Sequence, residues 1–231
     1  MLHADPRYTV LAAGAEIVSE LERRRSRFIT VMRRVDSGEQ AQQLVDRLRG
    51  EHRSARHHCS AWIIGPDRRV QRANDDGEPS GTAGEPMLQA LSRTRMPSGA
   101  EDLSDVAAVV VRYFGGTLLG AGGLISAYSD SVTAALEAAR AQGLLRVRRR
   151  MVHYRLPAPI AQVGRWENEL RHSGFAVISA DYTSRPGSAL LQVAAADEAS
   201  RAEQLHTLVL QLSGGSVQPR PGPVDYVDDP V

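Results

Sequence analysis

With 231 residues, 42% of them hydrophobic and 24% charged, the chain has a globular composition and enough length for two modest domains. Its formal net charge of +1 supplies no global field for gathering nucleic acid, so any such attraction must come from local patches. One cysteine, Cys59, excludes an intrachain disulfide and thiolate zinc sites of the two-Cys and four-Cys kinds, and the absence of lysine among the 28 cationic residues excludes a Walker-type phosphate loop, a Schiff base and a Ser-Lys dyad.

The N-terminal MLHADPRYTV lacks the cationic and apolar regions of a signal peptide, and no apolar run approaches the roughly 20 residues of a membrane helix. A cytoplasmic protein with no membrane partner is expected. EIVSELERRRSRFITVMRRV reads as two short strands around an Arg-rich turn. In SGEQAQQLVDRLRGEH, Ser37 is placed as an N-cap, and Ala41, Leu44, Val45 and Leu48 share one helix face, which predicts a helix ending near Gly50. HHCSAWIIG reads as a strand, with Cys59, Ala61 and Ile63 on one face and His58, Ser60 and Trp62 on the other. PDRRVQRANDDGEPSGTAGEP is dense in turn formers and reads as a long loop entering a helix over 86–91; loops of that length are uncommon without a function. VAAVVVRYF is apolar enough for a central strand. Beyond RYFGGTLLGAGG a helix follows, with Ile125, Tyr128, Val132, Leu136 and Ala139 at helical spacing and Gly143 as its stop.

The pattern then starts afresh. RVRRRMVHYRLPA reads as a strand, PIAQVGRWENELRHSG as a helix, FAVISADYTSRPGSALLQVAAA as two strands across an Arg-Pro-Gly turn, DEASRAEQLHTLVLQLSGG as a helix and SVQPR as a last short strand. This βαββαβ order is that of a ferredoxin-like sandwich. The expected layout is α+β in two domains, residues 1–143 and 144–222, with a flexible acidic tail over 223–231.

Three stretches carry candidate chemistry. RYFGGTLLGAGG fails as a dinucleotide fingerprint, because a pattern begun at Gly120 meets Ile125 where its third glycine belongs. What remains is a strand, a glycine turn and a helix start whose amides and dipole favour an anion; the same glycines also suit a bare packing junction. In DDGEPSGTAGEP, hydroxyls and amides again precede a helix start, while its acids lack the spacing of a calcium loop. Pairing of those acids with arginine is expected instead of a metal. In ARHHC, His57 lies on the strand face of Cys59, but no third group is identifiable to orient it as a base, and Cys59 is expected in the core. Two arginine clusters, 23–27 and 146–150, each offer two or three guanidiniums to a phosphate backbone. Three Phe and two Trp leave little material for stacking a run of bases.

Taken together, ERRRSRFI, ARHHCSAW, DDGEPSGTAGEP and VVVRYFGGTLLGAGGLISAY, in that order, resemble the IMPACT/YigZ family over nearly the whole first domain. By position, the second domain resembles the small C-terminal domain of YigZ-type members. The resemblance implies, for the first domain, the fold shared by a ribosomal small-subunit protein domain and domain IV of elongation factor G, and for the second that factor's domain V. It implies a role connected to translation control: eukaryotic relatives inhibit the amino-acid-starvation kinase pathway by binding its activator, and RNA or ribosome association is inferred from the fold. The binding residues expected on this footing are Arg23, Arg24, Arg25, Arg27, Arg56, His57, His58, Asp76, Glu78, Ser80, Gly81, Thr82, Gly84, Arg112, Tyr113, Gly115, Gly116, Gly120, Gly122 and Gly123, with no catalytic residue, metal or cofactor. Two alternatives stand beside this: a hydrolase or transferase using the acidic loop with His57 or His58, and a protein-binding adaptor in a stress response. Arg25 stands where relatives often carry Lys, which keeps the charge; Glu85 stands where Lys is frequent, which reverses it.

Overall fold

The computed structural model describes residues 7–185 and 187–228, and the chain divides into two units, Met1–Val147 and Arg148–Val231. The first unit runs through β1 (Arg7–Leu11), β2 (Glu16–Arg23), β3 (Ser26–Arg34), α1 (Gly38–Glu51), β4 (His57–Ile64), β5 (Val70–Asn74), α2 (Gly84–Arg93), β6 (Val106–Tyr113) and α3 (Gly120–Ala141). Strands β2 to β6 form one antiparallel sheet in the order β2-β3-β6-β4-β5. The apolar run of β6 lies at its centre, buried from Val106 to Arg112.

Strand alternation sorts the core into two layers. Phe28, Cys59, Ala61 and Val110 pack with α2 and α3 on one face, while Ile29, Trp62, Val109 and Val111 pack with Leu44, Val45 and Leu48 of α1 on the other. Helix α1 starts where the sequence places it, with the Ser37 hydroxyl accepting from the Gln40 amide at 3.3 Å.

Two elements of this unit differ from the sequence reading. Strand β5 lies inside the stretch expected as a long loop; it is an edge strand exposed at all five residues, so it has no apolar face for a period-two pattern to show. Strand β1 is held by a parallel bridge from Thr9 to Leu103 and by the Ala12 amide donating to the Leu144 carbonyl at 2.7 Å.

The second unit contains β7 (Leu145–Pro159, begun in the first unit), α4 (Val163–His172), β8 (Ala176–Arg185), β9 (Ser188–Ala196), α5 (Ala199–Ser213) and β10 (Pro221–Asp228). Its strands run antiparallel in the order β10-β7-β9-β8, the arrangement of a ferredoxin-like sandwich, over a core that includes Trp166, Leu156 and Leu191. The last strand is not SVQPR. It falls on 221–228, across most of the stretch expected as a flexible tail, and pairs Asp228 with Arg148 and Val227 with Arg149 along β7. A Pro-Gly-Pro start concealed it, because proline usually argues against a strand. The rest of the expected tail, 229–231, lies outside the described residues. Among the described residues no helix is long and apolar enough to cross a membrane.

Candidate functional site

The site is built at one end of the first sheet, where β3, β4 and β6 meet the loops before α2 and α3. On β6, Arg112 follows Val110 toward the layer of α2 and α3, and Tyr113 follows Val111 to the layer of α1. Arg112 is 5% exposed. It donates to Glu78 Oε1 at 2.6 Å, and its guanidinium lies 5.4 Å from the Phe28 ring centre and 5.6 Å from that of Phe114. Tyr128, from α3, donates to the same carboxylate oxygen at 2.7 Å, and the Cys59 sulfur lies 3.3 Å from the Tyr128 hydroxyl. Arg112 therefore anchors the acidic loop to the core. Burial pushes the Cys59 thiol and the Tyr128 hydroxyl up, so neither is an ionised nucleophile at neutral pH.

The acids of the loop are each engaged, as pairing with arginine anticipated for two of them. Asp76 bonds Arg49 at 2.6 Å and accepts from the His58 amide at 2.6 Å. Asp75 takes a different role: its carboxylate accepts from the amides of Gly81 at 2.8 Å, Ala83 at 3.0 Å and Gly84 at 2.8 Å. Burial raises the pKa of Asp75, but those three amides outweigh it and hold the group below the usual carboxylate range. The amides at the start of α2, expected to be open to a ligand, are thus already satisfied from within. Gly84 is needed there because a Cβ would overlap the Asn74 backbone.

The start of α3 is different. It has no side-chain cap, and beside it stands the hairpin joining β2 to β3. Arg24 and Arg25 form the tip at φ 49° and 66°, a left-handed pair that costs non-glycine residues about 1–2 kcal/mol each. The tip packs against the glycine turn: a Cβ on Gly115 would overlap the Arg25 carbonyl, the Gly115 amide donates to Ser26 Oγ at 3.2 Å, and Arg24 donates to the Leu118 carbonyl at 3.3 Å. Leu118 is 80% exposed. Between this loop and the acidic loop lies a pocket of about 360 Å³, lined by Arg56, His57, Glu78, Phe114, Leu118 and Gly120 among others.

Of the expected residues, the structure thus gathers Arg24, Arg25, Arg56, His57, Glu78, Arg112, Gly115 and Gly120 around one pocket and its rim. Gly116, Gly122 and Gly123 continue that rim along the turn and the first turn of α3. Arg23 and Arg27 flank the tip but are paired, with Asp130 at 2.9 Å and with Glu20 at 2.9 Å. Tyr113 lies on the other layer, where its hydroxyl is 2.8 Å from His52 Nδ1. His58 is there as well, buried, with Nε2 unpartnered; burial lowers its pKa although Asp76 opposes the shift. Ser80 is exposed, Gly81 binds Asp75, and Thr82 is buried with its hydroxyl on the Pro79 carbonyl at 2.7 Å. Tyr128, Phe114 and Leu118 were missed by sequence reasoning. Two large apolar residues set among glycines were the available signal for the last two; the helical period offered only a core role for Tyr128.

The second arginine cluster has another fate. Arg148 lies 3.4 Å from Asp228 and Arg150 lies 3.1 Å from Asp197, and Arg146 bonds the Gly143 carbonyl at 2.7 Å.

Residues 24–136 match the family described as the Impact N-terminal domain. The chain is 44% identical over 184 residues to the IMPACT family member YvyE of Bacillus subtilis (strain 168), spanning 79% of this chain and 77% of that protein. It is 38% identical over 213 residues to the IMPACT family member YigZ of Escherichia coli (strain K12), spanning 91% and 96%. A crystal structure described as that of a hypothetical protein superimposes with a TM-score of 0.58 at 35% identity, covering 93% of this chain and 96% of that one.

Proposed function

The chain belongs to the IMPACT family, and from that premise we propose that it is a non-catalytic, cytoplasmic RNA-binding protein that associates with the ribosome or its RNA and acts in translation control. The observation that carries this reading is a group of arginines without carboxylate partners gathered beside an open helix start. Arg24, Arg25 and Arg56 have no carboxylate partner among the described residues, and Arg24 and Arg25 stand beside the uncapped start of α3. Guanidiniums released from internal pairing displace counterions from a phosphate backbone, and an open helix start adds amides aligned for the same anion. Holding two arginines in a strained turn fits a residue pair kept for what it binds.

Binding is favoured over hydrolysis or group transfer because the acids of the loop are spent on a helix cap and on ion pairs, and the one thiol is buried and neutral. A protein-adaptor reading draws its support from Leu118, whose exposed side chain suits a protein partner. The readings separate in a filter-binding titration against single-stranded and structured RNA across a salt series. The RNA reading expects log affinity to fall with log salt at a slope of about −2 to −3, one phosphate per unpaired guanidinium. A flat salt response, with a nuclease-resistant complex recovered from lysate, replaces it with the adaptor.

A further inference from the structure

We propose that the pocket between the start of α3 and the acidic loop is a subsite for one unpaired guanine nucleotide, taken either as a free monophosphate or as an RNA terminus. The proposal deepens the RNA reading for its second source and stands apart from it for the first.

The floor of the pocket is the ground for this. The Glu78 side chain is only 3% exposed. Its Oε1 accepts from Arg112 and Tyr128, while Oε2 has no hydrogen-bond partner within the described protein. Glu78 lines the pocket, so a ligand seated there can donate to that oxygen. Beside it, His57 Nδ1 lies 2.8 Å from the Asp76 carbonyl. A carbonyl only accepts, so Nδ1 carries the proton and Nε2 of the neutral ring keeps its lone pair. That nitrogen lies 3.9 Å from Glu78 Oε1 in the wall of the same pocket. With His57 in that neutral form, the floor presents two adjacent acceptors, the Glu78 carboxylate and His57 Nε2, with the charge of the first balanced by Arg112.

A ligand that satisfies two adjacent acceptors must bring two adjacent donors. Among the four RNA bases, guanine alone has them, in N1–H and the 2-amino group. Adenine, cytosine and uracil each place an acceptor beside their donor, which would face a carboxylate or an imine lone pair. The remaining walls suit such a ring. Phe114 and Leu118 give it apolar contact, and about 360 Å³ accommodates one nucleotide but not a stack, in keeping with the few aromatics of the chain. At the mouth, exposed Arg56 and the uncapped first turn of α3 stand where the phosphate would emerge.

The test is calorimetric titration of the full chain with GMP, IMP, AMP and inorganic phosphate, followed by short RNAs ending in unpaired G or A. GMP should bind about tenfold more tightly than IMP, which lacks only the 2-amino group, and more tightly still than AMP, because a site built to pair a donor rejects the analogue without it. Ala121→Phe, an exposed residue lining the pocket, should fill the cavity and abolish the preference without breaking a buried contact. A preference confined to GMP identifies the free nucleotide as the ligand; one shared by the G-ended RNA identifies the terminus. Equal affinity for GMP and IMP, or a preference that survives Ala121→Phe, overturns the subsite. If RNA binds with a steep salt slope while GMP shows no advantage, the pocket fails and the RNA reading stands; if GMP is preferred but no RNA binds, the reverse holds.

Discussion

The chain carries two arginine clusters of nearly equal density, RRRSR at 23–27 and RVRRR at 146–150, and the fold gives them opposite fates. The second lies on β7, where β10 brings Asp228 to Arg148, and Asp197 meets Arg150. The first sits at a hairpin, where the flanking Arg23 and Arg27 find acids while Arg24 and Arg25 at the tip project past any. A strand buried in a sheet meets neighbours along its length, whereas a turn meets few. The number of cations in a run therefore says little about affinity for an anion; what counts is how many remain unpaired.

The largest expected effect comes from breaking a fully internal pair. Glu78→Ala should destabilise the first unit by about 3–5 kcal/mol, because it strands the Arg112 charge in the core. Denaturant unfolding measures this, and the double variant with Arg112→Leu should recover part of the loss. If Glu78→Ala is neutral, Arg112 is not an internal anchor and its place with the paired arginines is wrong. At the tip, Arg24→Glu with Arg25→Glu should weaken RNA binding more than tenfold at low salt for all sequences alike and make the salt slope shallower by about 2, with an unchanged melting curve. The matched change on β7, Arg148→Glu with Arg150→Glu, should cost no more than about 1 kcal/mol in stability and leave RNA affinity unaltered; a loss like that at the tip would erase the distinction between the clusters.

The smallest effect is one of pH and concerns the layer opposite the pocket. Burial lowers the His58 pKa, so the folded state resists the proton that the unfolded chain accepts. Stability contributed by this group is complete above the unfolded value of 6.5 and is lost as pH falls below it. Thermal melts between pH 7.5 and 5.5 should show a decline that His58→Gln flattens. Asp75, also lowered, loses its contribution only below its ordinary value of 3.8 and does not enter this window.

Much of the architecture was legible from local pattern. The α1 cap at Ser37, the central β6, the hairpin at the first arginine cluster and the βαββαβ order all follow from periodicity and turn chemistry, which act between near neighbours. In α3 the apolar face was legible except at Ile125, which is 43% exposed, while Leu124 takes the buried place. The site was legible in its parts and not in its wiring. Asp75 caps a helix from nine residues upstream, and Glu78 meets Arg112 across 34 residues; no sequence spacing encodes such pairings, because tertiary packing creates them. The two glycine-rich segments look alike as helix entries, yet Asp75 satisfies one start and leaves the other to solvent.

The most direct measurement is recovery of RNA with the tagged chain from cell lysate, with and without nuclease, for the unaltered protein, the tip variant and the β7 variant side by side. The account predicts ribosomal RNA with the unaltered chain and the β7 variant, its loss from the tip variant, and its loss from all three after nuclease. Equal recovery with the tip and β7 variants would contradict it.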